Sequence, residues 1–149
     1  TGKRLAILGF AFKADTNDTR EAPAIRICGD LLEEGAQLAI HDPQVEPDQI
    51  ERDLRLPASE APDAESGPTR AALSGEGNWW SSAAVEDALE GADAVLILTE
   101  WHHYRSLNWA ALAPLMRQPA WVFDARSVVD PAGVSAAGLK HWRIGEGQA

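Results

Sequence analysis

The sequence predicts an α/β fold: a doubly wound parallel sheet of about five strands in the order 2-1-3-4-5. Three observations carry this expectation. Short, near-continuous apolar runs at residues 5–9, 93–99 and 121–124 have the length and composition of strands buried on both faces. Segments of helical period at 24–32, 82–89 and 108–116 alternate with them. Such alternation sets parallel strands side by side, with helices on both faces and right-handed crossovers. In the order 2-1-3-4-5 the sheet reverses its direction of growth between strands 1 and 3. In a Rossmann-like sheet the crevice at that switch point, outside the carboxyl ends of the strands, is where a ligand binds.

The chain of 149 residues is the length of one domain, spanning 1–149. With 23 acidic and 13 basic residues its net charge is −10, which repels nucleic-acid phosphates and anionic membrane surfaces. Neither nucleic acid nor a membrane is therefore an expected partner, and an anionic ligand needs a local basic pocket. A single cysteine forms no internal disulfide, and no apolar signal or membrane-spanning run is present, so a cytoplasmic setting is expected. The chain opens directly on a strand, from which an excised domain with an upstream partner is expected.

The first strand ends at Gly9. Phe10, Ala11, Phe12 and Lys13 come next, in place of the glycines that would let backbone approach a pyrophosphate. A phosphate at this edge must then be met by side chains, and Lys13 and Arg20 are the basic candidates. Asp18 can cap the next helix with Glu21 as the returning member of a capping box and Pro23 in the first turn. Ala24, Ile25, Ile27, Cys28, Leu31 and Leu32 form its apolar stripe, and Gly35 supplies a left-handed stop. Cys28, on that stripe, reads as a small core hydrophobe.

A second strand at 37–41 ends in Asp42-Pro43, a turn dipeptide. An acid here could hold a ribose, but without the glycine fingerprint Asp42 is read as shaping the turn. A short helix is possible at 47–54. Residues 57–77 hold several prolines and no sustained period, and read as a mobile insertion after strand 2. Trp79-Trp80 close it, packing against the sheet in preference to stacking on a base. Ser82 is placed as the cap of a helix running through Val85, Ala88 and Leu89 to a stop at Gly91.

The apolar run at 93–99 must be a central strand, with Glu100 and Trp101 past its carboxyl end. His102 and His103 invite a metal reading, but adjacent side chains diverge and no Cys or spaced carboxylate completes a tetrahedral set. A helix at about 108–116 buries Trp109, Leu112 and Met116. The strand at 121–124 comes after it, and Arg126 stands past its end on the same edge as Lys13. Asp130-Pro131 starts a short helix ending at Gly138, and a last strand is expected at 142–144.

The run Gly9 to Pro23 contains Gly-x-x-Phe-Lys and Asp-x-Arg-Glu. With Leu98-Thr99-Glu100-Trp101 and Phe123-Asp124-Ala125-Arg126 it resembles the C-terminal domain of the UDP-glucose/GDP-mannose dehydrogenase family. The resemblance covers about 3–145 except the insertion, and the Thr-Glu-Trp run is more similar to UDP-glucose-type members. It implies the UDP-sugar-binding domain of an NAD-dependent enzyme that oxidises a primary C6 hydroxyl to a carboxylate, taking UDP-glucose to UDP-glucuronate through a cysteine-bound intermediate. Phe12, Lys13 and Arg126 would contact the nucleotide sugar, and Arg20 would reach NAD held mainly by an upstream domain. The family's partners for this domain are upstream NAD-binding and central helical regions of the same chain, in a homo-oligomer. Its catalytic cysteine belongs to a Gly-rich motif that nothing here matches, so the chain alone is not expected to catalyse and reads as the binding half of an enzyme. The alternative is a non-catalytic, receiver-like regulatory domain, which would want clustered acids at the ends of strands 1 and 3.

Overall fold

The computed structural model describes residues 3–10, 23–58, 77–99, 102–125, 129–143 and 147–148. Among them the chain forms β1 (Arg4–Leu8), α1 (Pro23–Glu33), β2 (Gln37–His41), α2 (Pro47–Leu54), β3 (Asn78–Ser81), α3 (Val85–Leu89) and β4 (Ala94–Ile97). After these come α4 (His102–Arg105), α5 (Trp109–Leu112) with a 3-10 turn at Ala113–Leu115, β5 (Trp121–Asp124), α6 (Pro131–Ala136), β6 (Lys140–Arg143) and β7 (Gly147–Gln148). The sheet order is β3-β2-β1-β4-β5-β6-β7, parallel throughout except for β7. The predicted order 2-1-3-4-5 is the central run β2-β1-β4-β5-β6, and the reversal falls between β1 and β4 as expected.

Two strands extend that prediction. Asn78–Ser81 is not the tail of an insertion but an edge strand, paired in register with Gln37–Ile40 of β2. Trp79 and Trp80 are 0% and 6% exposed, so their rings belong to the core. At the other edge β7 pairs antiparallel with β6, which begins at Lys140, two residues before the predicted start. Lys140 is exposed, yet its ammonium lies 5.4 Å from the centre of the Trp121 ring, and this contact suits a cation at a strand position.

Burial explains the strand composition. Every residue of β2 is buried, as are Ala6, Ile7 and Leu8 of β1, because helices cover both faces of the middle of the sheet. α1 contributes Ala24, Cys28 and Leu32 to this core. Asn108 and Asp130 cap α5 and α6 through side-chain oxygens that accept from Ala111 and Ala132 N–H. Ser82 does not cap α3: the helix starts later, with Ala84 at the cap position and no side-chain bond there.

Below the sheet, at its amino edge, Asp93 accepts from Arg4 N–H at 3.0 Å and pairs with Arg117 at 2.7 Å, tying the starts of β1 and β4 to the segment before β5. The segment 59–76 lies outside the described residues, but its flanks are fixed at this same edge. Trp79 Nε1 donates to Leu56 O at 2.8 Å, and Gly77 N–H donates to Leu32 O at 3.0 Å. At Gly77 a Cβ would come within 2.7 Å of Leu32 O and Ala36 O, so only glycine lets the chain enter β3 this close to the end of α1.

Two glycine substitutions are expected to shift stability in opposite directions. Gly29 lies inside α1 with nothing within 4 Å of an added Cβ, so Gly29→Ala should stabilise by about 1 kcal/mol. Gly9 has φ +97° and an added Cβ would fall on the Thr99 side chain, so Gly9→Ala should destabilise by more than about 2 kcal/mol. Thermal melts of the two variants check this, and a lower Tm for Gly29→Ala than for Gly9→Ala would refute it.

Candidate functional site

The carboxyl ends of β2, β1, β4 and β5 form one edge. Leu8 is in register with His41 on one side and with Ile97 on the other, and Ile97 is in register with Asp124. Neighbouring strands lie about 4.8 Å apart, so the chain leaves β1 and β5 at points about 10 Å apart, flanking the end of β4. The loop from β1 carries Phe12, Lys13 and Arg20, and the loop from β5 carries Arg126. All four residues lie outside the described residues, as do Glu100 and Trp101, so their exits are placed and their side chains are not.

The exits themselves are built from backbone hydrogen bonds and two carboxylates. Gly9 N–H donates to His41 O at 2.7 Å, and its left-handed φ turns the chain past Thr99, which is fully buried. Phe10 N–H then donates to Asp42 Oδ2 at 2.7 Å, while Asp42 Oδ1 accepts from Gln44 and Val45 N–H at 2.8 and 3.1 Å. Asp42 thus shapes its own turn, as expected from Asp-Pro, and also grips the exit of β1. Asp124, fully buried, accepts from Val129 N–H at 2.9 Å and so pins the far end of the loop that carries Arg126.

A buried pair braces the same edge. The Tyr104 hydroxyl donates to His41 O at 3.1 Å, and His41 Nδ1 lies 2.8 Å from the phenol oxygen. The phenol has one proton, and giving it to the carbonyl leaves its oxygen to accept from Nδ1–H. Burial first, and the nearby Asp42 carboxylate second, push the Tyr104 phenol well above its usual value of 10.0, so it works as a neutral donor. Neither this pair nor the Phe10 bond to Asp42 was visible in the sequence, because the partners are 63 and 32 residues apart.

The ends of β1 and β4 carry Gly9-Phe10 and Leu98-Thr99, not the acids a receiver needs to hold magnesium. Among the described residues no three His, Cys, Asp or Glu side chains converge on a metal-sized site, and no helix is long and apolar enough to cross a membrane.

A sequence model described as the UDP-glucose/GDP-mannose dehydrogenase family, UDP binding domain, matches residues 6–131. The chain belongs to that dehydrogenase family. It is similar to UDP-glucose 6-dehydrogenase 5 of Oryza sativa subsp. japonica, with 41% identity, and to UDP-glucose 6-dehydrogenase 1 of Arabidopsis thaliana, with 40%. In both comparisons 98% of the chain is covered, yet the chain spans only 30% of the relatives' length. Among solved structures it resembles a UDP-D-ManNAc dehydrogenase from Pyrococcus horikoshii, at TM-score 0.67 and 24% identity over 99% of the chain and 26% of that protein. A UDP-glucose dehydrogenase from Pyrobaculum islandicum matches at TM-score 0.59 and 25% identity, again over 99% of the chain and 26% of that protein. The family and the α/β fold inferred from the sequence are therefore both confirmed, and the receiver-like alternative is set aside.

In this dehydrogenase-family domain the one cysteine faces the core. Cys28 is 0% exposed, and burial pushes its thiol from 9.0 up to about 12, so thiolate is scarce at neutral pH. A disulfide reagent should leave it unlabelled in the native protein and label one thiol once denaturant is added. Because the folded state holds the thiol proton more tightly, the same group should reduce stability as pH rises from about 9 towards about 12. Fast native labelling at pH 7 would contradict this placement.

Proposed function

We propose that this chain is the UDP-sugar-binding part of an NAD-dependent UDP-glucose 6-dehydrogenase, with Phe12, Lys13 and Arg126 as its ligand contacts. The observation that supports this reading best is the register Leu8, Ile97, Asp124, which sends the two loops carrying Lys13 and Arg126 off the sheet about 10 Å apart at the switch point. Loops that leave the sheet that close can bring a Lys and an Arg to one diphosphate, and charge-assisted donors suit its oxygens. Identity of about 40% to UDP-glucose 6-dehydrogenases supports the choice of UDP-glucose as the sugar nucleotide and of UDP-glucuronate as the product.

The described residues do not form a full NAD site. The exit of β1 carries one glycine instead of the fingerprint, and Asp42, at the position that would hold a ribose, is engaged by three backbone N–H groups. Hydride acceptance belongs to NAD when it is bound by the rest of the enzyme, and Arg20 is the residue of this chain proposed to reach it. Buried Cys28 cannot attack a substrate, so the nucleophile also lies elsewhere and this chain supplies binding and orientation. Its proposed partners are accordingly the remaining regions of the same polypeptide, with assembly as a homo-oligomer in the cytoplasm. Of the insertion expected at 57–77, the part between the anchored residues Ala58 and Gly77 is proposed as flexible.

In the full-length enzyme, Lys13→Ala and Arg126→Ala should each weaken UDP binding by about one to two decades, since a charge-assisted contact is worth roughly 1.5 to 3 kcal/mol. The melting temperature should move little. Calorimetric titration of UDP beside a thermal melt tests this. Unchanged affinity in both variants would remove these residues from the site.

A further inference from the structure

We propose that Asp42 is a positioning residue for the nucleotide diphosphate: its carboxylate sets the path of the ligand-edge loop by holding the backbone where that loop leaves β1. The inference rests on the UDP-binding reading and concerns a residue that reading does not include. The two oxygens of Asp42 have separate tasks. Oδ1 closes the turn after β2, accepting from Gln44 and Val45 N–H. Oδ2 reaches across to the neighbouring strand's exit and accepts from Phe10 N–H at 2.7 Å, the short distance expected for an ionised acceptor.

Around this bond the structure leaves little freedom. Gly9, one residue earlier, is fixed by its N–H bond to His41 O and by contact with Thr99, and the Phe10 ring is fully buried. The carbonyl that receives the Gly9 proton also receives the Tyr104 hydroxyl, and Tyr104 stands in α4, the helix after β4. The ends of β1 and β2 and the helix after β4 are thus tied at one point, and the Phe10 bond to Asp42 is the last tie before the loop departs. This tie fixes where and in which direction the chain that carries Phe12 and Lys13 departs, and a small rotation there would carry over to what comes after it.

Asp42→Asn separates the two tasks. The amide oxygen can still accept from Gln44 and Val45, but the amide NH2 then faces Phe10 N–H, donor against donor. Asp42→Ser offers a second route: a hydroxyl can close a similar turn but is too short to reach Phe10. In the full-length enzyme each variant should weaken UDP binding roughly tenfold and should speed hydrogen exchange at the Phe10 amide. The decisive measurement is a double-mutant cycle with Lys13→Ala. If Asp42 acts by aiming the loop, its loss and that of Lys13→Ala should be less than additive, because part of each runs through the same side chain, while the share carried by Phe12 remains. A merely structural role, or direct contact with the ligand, would instead add its full loss to that of Lys13→Ala. If Asp42→Asn does not fold, Asp42→Ser alone decides. Unchanged UDP affinity in the Asp42 variants, or full additivity, overturns the inference while leaving the Lys13 assignment standing. No loss of affinity in Lys13→Ala itself overturns the UDP reading and this inference with it.

Discussion

The chain can leave the middle of its sheet only through Gly9. β1 has β2 on one side and β4 on the other, so its exit must pass between the end of β2 and Thr99 at the end of β4. A side chain at residue 9 would occupy the space of the Thr99 side chain, and the φ of +97° is one that L residues rarely adopt. This crowding imposes order: the first ligand-edge loop begins from a fixed point in a fixed direction, whatever the loop itself contains. In nucleotide folds with the glycine fingerprint, tight backbone is used to approach the phosphates. Here it fixes the start of the loop that carries Lys13.

That arrangement also bears on how an acidic chain would take the anionic ligand proposed for it. Two carboxylates stand at the carboxyl edge among the described residues, Asp42 and Asp124, and both accept backbone N–H groups from the loops they border. A carboxylate engaged in this way has its charge partly offset by the peptide dipoles that point at it. The proposed ligand edge thus borders carboxylates that hold backbone in place, in a chain whose net charge is −10.

Local pattern made much of this legible in the sequence. The strands at 37–41 and 121–124 and the helix at 47–54 have the predicted bounds, because each is a short run closed by a turn residue or a proline. β3 was missed because its four residues come after a segment rich in Pro and Gly, and four residues are too few for alternation to show. The helix after it begins two residues later than the Ser82 cap implied, the ordinary uncertainty of a helix end. For the candidate site, the edge and its two basic loops came from the strand order. The Tyr104 bond to His41 and the second task of Asp42 did not, since each joins residues far apart in sequence whose types fit many other roles.

The anchors of the segment between α2 and β3 bear on how such a domain can change. Leu56 is held by Trp79, and Gly77 by Leu32, both at the amino edge, on the far side of the sheet from the ligand loops. With its two ends clamped, a connecting segment can double in length for only about 0.6 kcal/mol of closure entropy. For the flexible insertion proposed between Ala58 and Gly77, changes of length are therefore cheap, whereas a single added residue between Leu8 and Phe10 would break the Gly9 and Phe10 ties at once. The same chain thus has one connection open to drift in length and another in which the count of residues is itself set by geometry.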